Sequence, residues 1–265
     1  MKRVFVLSAI LLFPAVIVAA EEQLALYEEV NSGEFMTRWL ICGPFAATAE
    51  AVLPPGEPRF DFSPGEISKV EQARQFDFDY LTEQGGESYI QPHAGLTHRF
   101  NGQEFRWVYH QQDEHVIDFL ELFGENNHAV VYLYAEVLMP ARQELYLALG
   151  SDDSVKGWLN GKLIHERWVP RSLSIDEDII TVELKEGLNR LLFKVQNELV
   201  DWGFVCRLLS EEEYAILKQK KRTNFSDWSR HYTAEDERVA TLVSQFSLFL
   251  IIIVVIVVLA KVAKT

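Results

Sequence analysis

The sequence predicts an all-β sandwich, and three observations carry that expectation. From Phe105 onward, short runs rich in Val, Ile, Tyr, Phe and Trp recur at spacings of about ten residues, as strands of a sandwich do. Turn residues such as Asn160-Gly161 and Gly187 separate them, where a βαβ fold would need amphipathic helices. Within runs such as Phe105-Arg106-Trp107-Val108-Tyr109 and Glu144 to Leu149, apolar and polar residues alternate, which puts one set on each face of a sheet.

In chain order, Met1-Lys2-Arg3 opens an apolar stretch from Val4 to Ala20, broken by Ser8 and Pro14, that ends Val18-Ala19-Ala20. That is the layout of a signal peptide over residues 1–20. An uncleaved anchor is the alternative, and Pro14 with the Ala-Ala end fits it less well. An acidic lead, residues 21–35, precedes a strand at Arg38-Trp39-Leu40-Ile41-Cys42 that is expected to stop at Gly43-Pro44. Residues 46–104 hold Pro54-Pro55-Gly56, Pro64-Gly65 and Gly85-Gly86 turns and a short helix over Ile67 to Arg74. The stretch is long for a bare loop, so partial structure packed on the domain is expected.

Strands are expected at Phe105 to Tyr109, His128 to Met139, Glu144 to Leu149, Val155 to Leu159, Lys162 to His165, Ile179 to Leu184, Leu191 to Val195 and Phe204 to Leu208, which makes residues 36–209 one domain. Ser210-Glu211-Glu212-Glu213 is a capping box for a helix through Lys218, and residues 210–238 form that helix and a polar spacer. No charge interrupts residues 239–260. As a helix they extend about 33 Å, enough to cross a hydrocarbon core of about 30 Å, and they are read as a transmembrane helix. The flanking Arg222, Arg230, Arg238, Lys261 and Lys264 do not orient it; the signal peptide does, leaving residues 261–265 as a short cytoplasmic tail.

The chain carries 39 acidic and 25 basic residues, a net charge of −14. That balance argues against nucleic acid as a partner and against docking of the exported domain on anionic headgroups. The two cysteines, Cys42 and Cys206, both fall in strand-like runs. Were the first and last strands neighbours, a disulfide would close a loop of over a hundred residues and stabilise the fold by about 5 kcal/mol in the chain-entropy model. Two buried thiols are the alternative.

The most informative window runs from Leu149 to Leu208. It contains Gly150-Ser151-Asp152-Asp153, Trp158-Leu159-Asn160-Gly161-Lys162, Leu184-Lys185-Glu186-Gly187-Leu188-Asn189-Arg190-Leu191-Leu192-Phe193-Lys194-Val195-Gln196-Asn197 and Trp202-Gly203-Phe204. This pattern resembles the galactose-binding-like jelly roll, as in the sugar-binding domains of family 2 glycoside hydrolases. Much of the match is structural: Asn160-Gly161 suits the two positive-φ positions of a type I′ turn. The resemblance implies a jelly-roll β-sandwich and a non-catalytic recognition domain displayed outside the cytoplasm, with a glycan as ligand. A protein partner met through the sandwich face and the membrane helix is the alternative, and a membrane-bound hydrolase the third reading.

Sugar recognition needs an aromatic platform beside planar hydrogen-bonding groups, and the candidates are Trp158, Trp168, Arg171 and Trp202 with Asp152 and Asp153. Trp168 and Arg171 lie in a turn-rich segment and are the leading pair, whereas Trp158 and Trp202 are equally readable as core aromatics. Asp152-Asp153 also suggests calcium, but two carboxylates fall short of the roughly six to eight oxygens it takes, and turn capping is the simpler role. No cofactor is expected. Asp176-Glu177-Asp178 reads as a solvated acidic loop. His110 to His115 has ligand residue types without a zinc spacing, and no hydrolase motif is present.

Overall fold

The computed structural model describes residues 25–28, 31–54 and 67–222. The expected signal peptide 1–20, the expected transmembrane stretch 239–260 and the expected tail 261–265 lie outside them; among the described residues no helix is long and apolar enough to cross a membrane.

The described chain is a sandwich of two sheets. The strands are β1 (Leu26–Tyr27), β2 (Arg38–Ala46), β3 (Thr97–Phe100), β4 (Gln103–Arg106), β5 (Val108–Gln111), β6 (Ile117–Asp118), β7 (Ala129–Met139), β8 (Gln143–Asp152), β9 (Ser154–Leu159), β10 (Lys162–Arg167), β11 (Asp178–Leu184), β12 (Gly187–Asn197) and β13 (Gly203–Leu209). The larger sheet has the order β10-β9-β12-β7-β2-β5, with β1 added in parallel to β7; the smaller is β11-β8-β13-β6, and β3-β4 form a separate hairpin. All pairings other than β1 with β7 are antiparallel.

Alternation along β12 shows where the core sits. Phe193 points between the sheets, where its ring lies 4.9 Å from Phe204 of β13 and 5.9 Å from Trp39 of β2. Leu191 and Val195 share that parity and are fully buried. Lys194 and Gln196 face the opposite side, which is also covered. Three helical pieces and the β3-β4 hairpin do the covering: α1 (Ala49–Val52), α2 (Lys69–Asp77) and a 3-10 turn at Thr82–Gln84. α2 starts at a capping box, Ser68 with Glu71, and Gln196 Nε2 donates to Gln72 O and Gln75 Oε1 on it. The long stretch after β2 is therefore a third layer laid over the larger sheet.

Several boundaries differ from the sequence reading for definable reasons. β2 does not stop at Gly43-Pro44. It continues to Ala46 with its register shifted between Cys42 and Phe45, because a bulge takes up the proline that cannot donate to the ladder. The run Phe105 to Tyr109 is split at the buried Trp107, so that β4 closes a hairpin with β3 and β5 joins the larger sheet through β2. β1, β6 and a short α3 (Phe119–Phe123) are too brief to show a period. The Ser210–Glu213 capping box forms, with Glu213 N donating to Ser210 Oγ and Ser210 N to Glu213 Oε2, and the helix runs over 211–222, past Lys218.

The two cysteines are free and buried, which corrects the proposed disulfide. β2 and β13 belong to different sheets. Cys206 shares the parity of Phe204 and faces the space between the sheets, its Sγ 4.0 Å from Met36 Sδ. Cys42 is in register with Tyr132, whose hydroxyl donates to Glu87 in the covering layer. The two thiols thus lie on opposite sides of the larger sheet. Burial pushes both thiols well above their usual range.

Candidate functional site

At one end of the sandwich β8 gives way to β9, β10 to β11 and β12 to β13, and the connecting segments are residues 153, 168–177 and 198–202. Asp153 ties all three together. Its Oδ1 accepts from Arg171 N at 2.8 Å and its Oδ2 from Glu198 N at 2.7 Å. Ser154 Oγ accepts from Val169 N at 2.9 Å. The loops at this end are therefore held to the sheet by side chains of the β8-β9 junction, where the Asp152-Asp153 peptide is cis.

Arg171 is used inward. Its guanidinium donates to Ser151 Oγ and to Asp178 Oδ2, each at 2.7 Å, with Glu177 Oε2 3.4 Å away. Asp178 also receives Arg167 Nη1 at 3.0 Å, and His165 Nε2 lies 3.1 Å from it. β10 and β11 are the edge strands of the two sheets, so this cluster clasps the sandwich shut along one side. Burial pushes the Asp178 carboxyl up, but the hydrogen bonds and charges of His165 and Arg171 outweigh it and hold the group well below the usual carboxylate range.

Asp176-Glu177-Asp178 is thus not a solvated loop, since Asp176 and Asp178 are buried and Asp176 accepts from Arg207 Nε at 2.9 Å. Asp178 is the first residue of β11, whereas Asp176 sits in the turn before it at a φ of 57° and Glu177 stays out.

The aromatic candidates separate. Trp158 and Trp202 are 5% and 2% exposed and belong to the core; Trp202 packs 5.1 Å from Phe119 of α3. Trp168 is 44% exposed, on the loop that Arg171 and Val169 pin down. Sequence reading missed Leu199 and Val200, which stand 50% and 69% exposed on the neighbouring loop held by Asp153. Two consecutive aliphatics after a strand look like its continuation; β12 instead ends at Asn197, and Val200 has a φ of 71°.

Asp152 and Asp153 lie side by side and buried. Burial, then the neighbouring Asp153, raises the Asp152 carboxyl to about 6, and burial raises Asp153 as well. Among the described residues no group of three or more His, Cys, Asp or Glu is arranged to hold a metal ion. The two carboxylates are the groups here that would face a cation, and both oxygens of Asp153 are already accepting backbone N–H groups. Chemically, this end offers one planar aromatic face and two aliphatic side chains on loops tied to the sheet by Asp153 and Ser154.

No protein-family model and no curated protein matches the chain. Among solved structures, the PA14 domain of the MpAFP antifreeze protein is 15% identical over 32% of this chain and 45% of its own, with a TM-score of 0.29. A β-glucosidase from Kluyveromyces marxianus in complex with glucose is 13% identical over 38% of this chain and 14% of its own, at 0.31. An anti-sigma factor domain-containing protein is 14% identical over 41% of this chain and 38% of its own, at 0.34. The chain spans less than half the length of each of these, and TM-scores this low assign no function.

Proposed function

We infer that the protein is a non-catalytic recognition domain of the galactose-binding-like jelly-roll type, exported by its leader, anchored by residues 239–260, and meeting a glycan through the loops around Trp168. The observation that carries this reading is the exposure of Trp168 on a loop fixed by Asp153 and Ser154. An exposed aromatic face stacks on the apolar face of a sugar ring, and a loop ordered beforehand loses little entropy on binding. The Leu149 to Leu208 motifs support the fold element of the reading. The raised carboxyl of Asp152 lies beside Asp153, whose two oxygens are taken up by backbone N–H groups, and itself serves loop attachment through the Leu173 N–H.

The test is glycan-array binding by the full chain in nanodiscs, with Trp168→Ala as the variant. Loss of about tenfold or more in affinity is expected for an aromatic platform. Unchanged binding by the variant would remove Trp168 from the site. A protein partner is the second reading, favoured by the exposure of Leu199 and Val200 beside it. Photo-crosslinking from position 200 that captures one defined protein, with no glycan bound, would select it.

A further inference from the structure

The helix over 211–222 carries a dense run of cations in an acidic chain: Lys218, Lys220, Lys221 and Arg222. Tyr214, Lys218, Lys221 and Arg222 follow one another at helical spacing and share one face. Together with Ile179 of β11 they line a groove of about 420 Å³. Its floor is aromatic and aliphatic, with Tyr214 stacked on Tyr146 of β8 at 4.1 Å between ring centroids and Ile179 half-buried. Its rim is cationic: Lys218 Nζ stands 5.7 Å from the centre of the Tyr214 ring, and Lys221 Nζ donates to the carbonyl of Asp176.

Among the described residues Lys218, Lys221 and Arg222 form no ion pair. The nearby acids are engaged elsewhere: Asp176 with Arg207, Glu177 with Arg171, Glu211 with the Tyr146 hydroxyl and Glu213 in the cap. An apolar floor under a cationic rim matches the chemistry of an anionic amphiphile at its headgroup.

We propose that this groove seats the headgroup of an anionic phospholipid, with the phosphate against Lys218, Lys221 and Arg222 and the glycerol end against Ile179 and Tyr214. The proposal rests on the reading of residues 239–260 as a membrane anchor. Sixteen residues separate Arg222 from that stretch and reach at most about 55 Å, so the groove is within range of the headgroup layer. The net charge of −14 argues against docking of the domain as a whole; the helix is a local exception to that average. Each cation near an anionic surface favours contact by about fivefold, so three give on the order of a hundredfold.

The experiment is amide hydrogen exchange on the full chain in nanodiscs of phosphatidylcholine, alone or mixed with phosphatidylglycerol at about three to one. Residues 211–222 are expected to exchange at least about fivefold more slowly in the anionic discs. Replacing the three cations together (Lys218→Gln, Lys221→Gln, Arg222→Gln) should remove the difference while β7 exchanges as before, which shows that the variant is folded. Equal exchange of wild-type 211–222 in both disc types overturns the proposal alone. The same slowing by inorganic phosphate in neutral discs overturns the lipid source in favour of a soluble anion. A chain that stays outside the discs overturns the anchor reading and this proposal with it.

Discussion

Glu87 and Lys194 meet beneath the covering layer, Oε1 to Nζ at 3.0 Å, across 107 residues of sequence. Lys194 also donates to Phe78 O at 2.7 Å, and the Tyr132 hydroxyl donates to the same Glu87 oxygen at 2.6 Å. The lysine side chain is fully buried; burial pushes its ammonium down and the Glu87 carboxyl up. The pair fastens the third layer to the sandwich. Lys194→Met is expected to cost about 3–5 kcal/mol, because it leaves a buried carboxylate uncompensated. Adding Glu87→Gln should recover much of that loss, and urea unfolding of both variants is the measurement.

Asp178 should govern part of the acid sensitivity. Its folded-state carboxyl lies below its unfolded value, so its contribution is fully present above a pH of about 4 and drains away as the pH falls further. Asp178→Asn is expected to lose about 3 kcal/mol at neutral pH by leaving Arg171 underpaired. Its melting temperature should then depend less on pH between about 4 and 2 than that of the wild type.

Asp152 has the opposite sign. With its carboxyl raised to about 6 in the folded state, it lowers stability above that pH, and the cost disappears as the pH drops toward the unfolded value. Asp152→Asn keeps an acceptor for the Leu173 N–H and should stabilise the protein by about 1–2 kcal/mol at pH 8 and by nothing near pH 4. Melting temperatures at the two pH values decide it.

Two glycines are held by backbone neighbours. A Cβ on Gly150 would sit 2.0 Å from Ser174 O, and one on Gly161 2.1 Å from Ser88 O, with Gly161 at a φ of +82°. Gly150→Ala should push the 168–177 loop off the smaller sheet, and Gly161→Ala should both strain the hairpin and lift the covering layer. Losses of about 2–4 kcal/mol are expected, read by thermal melting.

The regular strands were legible because their signals are local. Asn160-Gly161 does make the tight turn between β9 and β10, at φ of 52° and 82°, and every strand from β7 to β13 covers a run read as a strand from its β-forming residues and flanking turns. The buried amide of Asn189 receives Lys185 N and Asn160 Nδ2, a link between the β9-β10 hairpin and the β11-β12 connection that no local period announces. The third layer was legible as a stretch too long for a bare loop with a short helix in it, but its attachment was not, since Glu87, Gln75 and Phe78 acquire their meaning from β7 and β12, far along the chain. At the candidate site, Trp168 and Arg171 were found through their turn-rich setting, but Arg171 proved to hold the loop and not to offer itself to a ligand. Burial separated the tryptophans, and burial is not written in residue type.

Cys42 and Cys206, separated by the thickness of a sheet, leave the cohesion of this domain independent of electron supply. An oxidising compartment adds no crosslink to it and a reducing one removes none. Folding of the domain needs no thiol-exchange partner to join these two cysteines, and its shape reports nothing about the redox state around it.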